Sequence, residues 1–89
     1  MTVARDVLIA NRRGLHARAS AKFVTLASQQ PIQVQVAKGG STVTGTSIMG
    51  LMMLGAAMGD TITISAQGDE ADTVVTTMCE LVEAKFGED

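Results

Sequence analysis

The sequence is short of the side chains on which many small-domain functions are built. In 89 residues it has no tryptophan or tyrosine, two phenylalanines, one proline, one cysteine and one histidine. A lone cysteine, Cys79, excludes an internal disulfide and a cysteine-built zinc site. The single histidine has no acids grouped around it, so no metal is expected, and no other cofactor. Nucleic-acid binding by stacking needs aromatics on a basic face. With only Phe23 and Phe86 and a net charge of −2, the chain has neither, and no nucleic-acid partner is expected. No stretch approaches the roughly 18 apolar residues of a membrane span. Arg5 and Asp6 also break the apolar run near the amino end, so it does not read as a signal peptide. These absences predict a cytoplasmic location away from membranes.

What the chain does have is aliphatic bulk, with 46% of its residues hydrophobic and six of them methionine. That suffices for one domain over residues 1–89, burying about 60% of its surface on folding. It is too little for a large enclosed active site, which places any chemistry at the surface or at a partner interface.

Two runs alternate with the period of a half-buried strand. In IQVQVA, residues 32–37, Ile32, Val34 and Val36 oppose Gln33 and Gln35; in TITISA, Ile62 and Ile64 oppose Thr61, Thr63 and Ser65. Thr2 to Ile9 reads as a further strand, and STVTG as the return from a Gly39-Gly40 hairpin turn. Helices are predicted from Ala17 to about Gln29, with Ala19, Phe23, Leu26 and Ala27 at helical spacing, and from Ser47, a good N-cap, to about Leu54, with Gly55 as the stop. The last helix is predicted to be capped by Asp69. Ala71, Val74, Val75, Met78, Val82 and Phe86 form its buried stripe, Lys85 sits near its carboxyl end, and Cys79 is a small buried residue. Each strand has one apolar face. The simplest packing is therefore an α+β fold with a four-stranded antiparallel sheet and three helices on one side, in the order βαββαβα.

The histidine lies in NRRGLHARAS, residues 11–20, where a loop gives way to the first helix. Composition alone leaves a packing role or simple exposure open for His16. Local chemistry offers another role. A helix amino terminus presents free backbone amides, here those of Ala17 and Arg18, and attracts phosphate. Arg18 adds a guanidinium. A ring nitrogen beside such a cradle, on an exposed edge, suits phosphoryl transfer between proteins. No serine or cysteine nucleophile motif accompanies His16, which argues against a hydrolytic triad.

GLHAR at 14–18, TSIMGLMMLG at 46–55 and GDTITISAQG at 59–68 together resemble HPr, the histidine-containing phosphocarrier family of the bacterial phosphoenolpyruvate-dependent phosphotransferase system. The resemblance spans essentially the whole chain and implies an open-faced β-sandwich. It implies that His16 accepts a phosphoryl group at Nδ1 from phospho-enzyme I and passes it to an EIIA-type protein. Arg18 and the Ala17 amide would hold the phosphate. Ser47 would be the site used by an HPr kinase/phosphorylase, beside its local role as a cap. Ala21, Ile48, Met49, Met52 and Met53 would form the docking patch, consistent with a helix too short to bury all its Met, Ile and Leu side chains. A monomer is expected.

Two positions depart from the family pattern: Ala19 stands where proline is usual, and Thr46 where many relatives carry lysine. The SIMGLMMLG segment resembles versions whose system regulates nitrogen or carbon metabolism, so sugar uptake and regulation both stay open. The alternative function is a regulatory binding module that signals through Ser47 and the methionine patch without relaying phosphate; it would not need His16 and Arg18.

Overall fold

The computed structural model describes residues 1–88. Its elements are β1 (Thr2–Leu8), α1 (Ala17–Ser28), β2 (Val34–Lys38), β3 (Ser41–Thr44), α2 (Ile48–Met53), β4 (Thr61–Gln67) and α3 (Ala71–Glu83), with a 3-10 turn over Lys85–Gly87. The strands form one antiparallel sheet in the order β1-β4-β2-β3.

Register explains why one face of the sheet is dry. Ala66 lies opposite Val3 on one side and Val34 on the other, and Ile64 lies between Arg5 and Val36. Side chains alternate along each strand, so these rows put Ile62, Ile64, Ala66, Val34, Val36 and Val7 on one side, all buried. Arg5 falls on that side too, at the β1 edge. Its guanidinium reaches over α3 to the Thr76 hydroxyl at 3.1 Å and Asp72 at 3.5 Å. The other face carries Thr63, whose hydroxyl donates to Asp6 across the strands at 2.6 Å. The helices supply Ala19 and Phe23 from α1, Leu51 from α2, and Val74, Val75, Met78, Cys79 and Val82 from α3. Full burial of each such aliphatic or aromatic side chain contributes about 1.5–3 kcal/mol. The open sheet with three helices is the arrangement expected from the sequence.

Several boundaries differ. β2 begins at Val34, not Ile32, and ends at Lys38, while β1 is assigned only to Leu8 although Ile9 still bonds to Asp60 through its amide at 2.8 Å. In the hairpin only Gly39 takes a positive φ, +59°. Leu26 is half-buried beside the stripe. Asp69 does not cap α3. Gly68, at φ +131°, turns the chain so that its carbonyl takes the Ala71 amide, which leaves Glu70 at the cap position with no side-chain bond. Phe86 is buried as expected, but not as part of the α3 stripe. The helix ends at Glu83, and both Lys85 and Phe86 lie beyond it in left-handed backbone. Among the described residues, no helix is long and apolar enough to cross a membrane.

Candidate functional site at the start of the first helix

The loop between β1 and α1 is held from below by the segment after α2. The Leu15 amide donates to the Ala56 carbonyl at 2.9 Å, and Gly14 passes so close that an added Cβ would lie 2.3 Å from the same oxygen. Gly14 also takes φ +61°, so both its freedom at positive φ and its lack of a side chain are used. The segment that supports this loop is itself fixed by Asp60. The Asp60 carboxylate accepts from the Ala57 amide at 2.9 Å and pairs with Lys38 at 3.3 Å. These two contacts hold it below the usual carboxylate range, the backbone amide contributing most.

This support presents His16 as the N-cap of α1, with extended backbone. Its Nδ1 accepts from the Arg18 amide at 3.3 Å. Histidine is not among the preferred capping residues, and the contact is long. The Arg18 amide, expected to be free, is therefore engaged. The Ala17 amide opens the helix and has no intrahelical acceptor. Arg18 itself is exposed, and among the described residues its guanidinium forms no ion pair. The helix dipole adds about half a positive charge at this end. Together these groups can bind an anion and leave Nδ1, an unprotonated ring nitrogen, beside it. At Ala19 the helix has not yet begun its ladder, since the first such bond runs from the Ser20 amide to the His16 carbonyl at 2.9 Å. Alanine in place of proline therefore neither adds nor removes a helical hydrogen bond.

The other ring nitrogen has a partner that the sequence did not reveal. His16 Nε2 lies 2.6 Å from Glu88 Oε1, with the two side chains only 18% and 19% exposed. The same carboxylate oxygen accepts from the Asn11 side-chain amide at 2.9 Å, and that amide also donates to the Gly14 carbonyl at 2.8 Å. Asn11 is fully buried, and its Oδ1 has no partner among the described residues. Turning the amide over would bring that oxygen against two acceptors, so its orientation is fixed. The His16 hydrogen bond, more than any other contact, holds the Glu88 carboxyl below its ordinary range.

The second predicted site lies at α2. Ser47 caps that helix, its Oγ accepting from the Gly50 amide at 2.9 Å. Gly55, at φ +64°, follows the helix end as expected. The apolar side chains of α2 divide as anticipated: Leu51 is buried, while Met49 and Met53 are 70% and 80% exposed and Ile48 and Met52 are also exposed. Ala21 is half-buried on α1, which packs against α2. Cys79 is buried in α3, where desolvation pushes its thiol up.

The family model described as "PTS HPr component phosphorylation site" matches residues 3–84. The phosphocarrier protein NPr of Shewanella violacea is 42% identical, covering 94% of this chain and 92% of its own length. The phosphocarrier protein HPr of Cupriavidus necator is also 42% identical, covering 94% of each chain. Among solved structures, HPr-C-His from Thermoanaerobacter tengcongensis superposes with a TM-score of 0.90 at 39% identity, covering 98% of each chain. Sequence, fold and family match agree, and the chain belongs to the HPr family of phosphocarrier proteins of the phosphotransferase system.

Proposed function

We propose that His16 is the phosphoryl-carrying residue, that it is charged by phospho-enzyme I, and that it delivers to an EIIA-type protein. The observation that carries this reading is the placement of His16 Nδ1 at the amino end of α1, against the Arg18 amide. In the transfer, Nδ1 forms a bond to phosphorus as the bond to the donor breaks. The phosphoryl oxygens then take the Arg18 amide that Nδ1 relinquishes, together with the Ala17 amide and the Arg18 guanidinium. A helix amino terminus accommodates such an anion without further charge from the protein. The ring is mostly covered but keeps an accessible edge, which suits a carrier whose partners bring the rest of the active site.

Docking falls to the exposed Ile48, Met49, Met52 and Met53 of α2, with Ala21 at the border. Flexible methionines adapt to more than one partner surface. The protein acts as a cytoplasmic monomer with no nucleic-acid partner, in sugar uptake or in regulation by the same relay. Ser47 serves as a cap and as the acceptor for an HPr kinase/phosphorylase. A phosphate there would replace the neutral cap at the start of α2 with a strong negative charge, next to the docking side chains.

The decisive experiment is incubation with enzyme I and labelled phosphoenolpyruvate. Acid-labile label on the unaltered chain and none on His16→Ala is expected. Absence of label on the unaltered chain, or full acid-labile labelling of His16→Ala, sinks the carrier reading. In that event, a docking partner lost with Met53→Ala would favour the binding-module alternative.

A further inference from the structure

Glu88 lies outside the residues 3–84 that the family model matches, and the relay described above does not use it. Three separate features nevertheless converge on its carboxylate. After α3 the chain takes left-handed backbone at Lys85, Phe86 and Gly87 in succession, with φ of +58°, +55° and +75°. A bulky residue in that region is a genuine outlier, and it persists only where its surroundings over-determine it. Those surroundings are present: the Phe86 ring is buried, and its carbonyl accepts from Lys22 Nζ at 2.7 Å. On the other side the fully buried Asn11 holds Glu88 Oε1 at 2.9 Å with its side-chain amide. A strained turn, a buried ring and a buried amide thus bring one carboxylate oxygen to His16 Nε2.

The geometry points to Glu88 as a positioning residue for phosphoryl transfer: it holds the Nε2–H of His16, places the ring's lone pair on Nδ1, and faces the positive charge that develops on the ring. This rests on the reading of His16 as the phosphoryl acceptor. An ionised carboxylate only accepts hydrogen bonds, so Nε2 must donate and, in a neutral ring, Nδ1 must be bare. The contact from the Arg18 amide to Nδ1 requires the same tautomer, so both ends of the ring agree. As the Nδ1 lone pair forms the bond to phosphorus, the bond to the donor breaks and its electron pair leaves with the donor. No proton need leave His16. The ring becomes cationic with Nε2–H in place, opposite Glu88. On onward transfer the electron pair of the N–P bond returns to Nδ1. Among the described residues, Lys22, which anchors the turn, also acts on the Glu88 carboxylate through its charge. Carboxylates behind the histidines of metal sites and serine-protease triads hold the ring in the same way.

The test uses two variants of the full chain: Glu88→Gln, which removes the charge but keeps an oxygen that can accept from Asn11 and from Nε2–H, and Glu88→Ala, which removes the acceptor altogether. Two quantities are measured: the transfer rate from phospho-enzyme I, and the NMR shifts of the two ring nitrogens of unphosphorylated His16. The rate is expected to fall about 10-fold or more in Glu88→Ala, and to fall in Glu88→Gln as well, with little change in KM for phospho-enzyme I; the nitrogen shifts are expected to move away from the Nε2–H tautomer in Glu88→Ala. An unchanged rate in either variant, or unchanged ring-nitrogen shifts in Glu88→Ala, overturns the inference. If the unaltered chain takes no label, the carrier reading itself has failed; the ring-nitrogen shifts then still decide whether Glu88 sets the tautomer.

Discussion

Two helices of this protein begin on a side chain that can carry phosphate, and they begin in different ways. At α2 the Ser47 hydroxyl accepts from the Gly50 amide at 2.9 Å, an ordinary cap made by a preferred capping residue. At α1 the cap is an imidazole whose Nδ1 meets the Arg18 amide at a long 3.3 Å. The serine needs nothing beyond its own turn. The histidine is held by a loop with no room for a side chain at Gly14, and by a carboxylate delivered from the far end of the chain through left-handed backbone. A side chain that only caps a helix needs no such support. The difference suggests that α2 is capped for stability first, whereas the start of α1 is built around the orientation of one ring.

The sharpest way to break the comparison is to remove each side chain in turn. His16→Ala is expected to abolish acid-labile labelling by enzyme I and phosphoenolpyruvate, while the fold survives, because the side chain it removes is a poor cap. Gly14→Ala attacks the support instead. Its Cβ would meet the Ala56 carbonyl at 2.3 Å in a left-handed conformation, so the loop must move. A loss of about 2–4 kcal/mol follows, at the upper end for single substitutions. Thermal unfolding should then fall by more than about 10 °C. Ser47→Ala should cost about 1 kcal/mol, a fall of about 4–8 °C, and leave the His16 labelling rate unchanged. Should Ser47→Ala slow the labelling as much as Gly14→Ala does, the two helix starts are not independent and the contrast fails.

The sequence made the sheet, the three helices and the Ser47 cap legible because each rests on local chemistry. Alternation in TITISA sets a face, and a serine ahead of an apolar run sets a helix start. The place of His16 at a helix start was legible for the same reason, whereas its reading as a phosphoryl acceptor came from the resemblance carried by GLHAR, TSIMGLMMLG and GDTITISAQG. Glu88 was not legible, since its contact with His16 joins positions 72 apart and depends on a turn that no propensity would place at Lys85 and Phe86. Phe86 in particular continues the four-residue spacing of Val82, and spacing cannot tell a further helical turn from a reversal that buries the same ring. Asn11 read as a loop asparagine, though it is fully buried. The Asp69 cap failed on a competing local rule: the left-handed turn at Gly68 supplies its own acceptor to the Ala71 amide.

The smallest expected effect separates the two helix starts by pH alone. Glu88 is held below its ordinary value of 4.5, first by the hydrogen bond from His16, against the opposing effect of burial, and then by the hydrogen bond from Asn11 and the charge of Lys22. A carboxyl with a depressed folded-state value stabilises the fold fully above its ordinary value, and that contribution is lost as pH falls through the depressed one. Protonating the ring does not remove the contact, because neutral and cationic imidazole both offer Nε2–H to the carboxylate. The clip should therefore stay closed in either form of the ring, and should open only below about 4.5. The side-chain amide resonances of Asn11, which donates to the same oxygen, report it directly. They should shift below pH 4.5 and lose that shift in Glu88→Gln. The Gly50 amide, bonded to an uncharged hydroxyl, should not follow the same curve. An Asn11 shift below pH 4.5 that survives in Glu88→Gln would mean that the carboxylate does not control the clip.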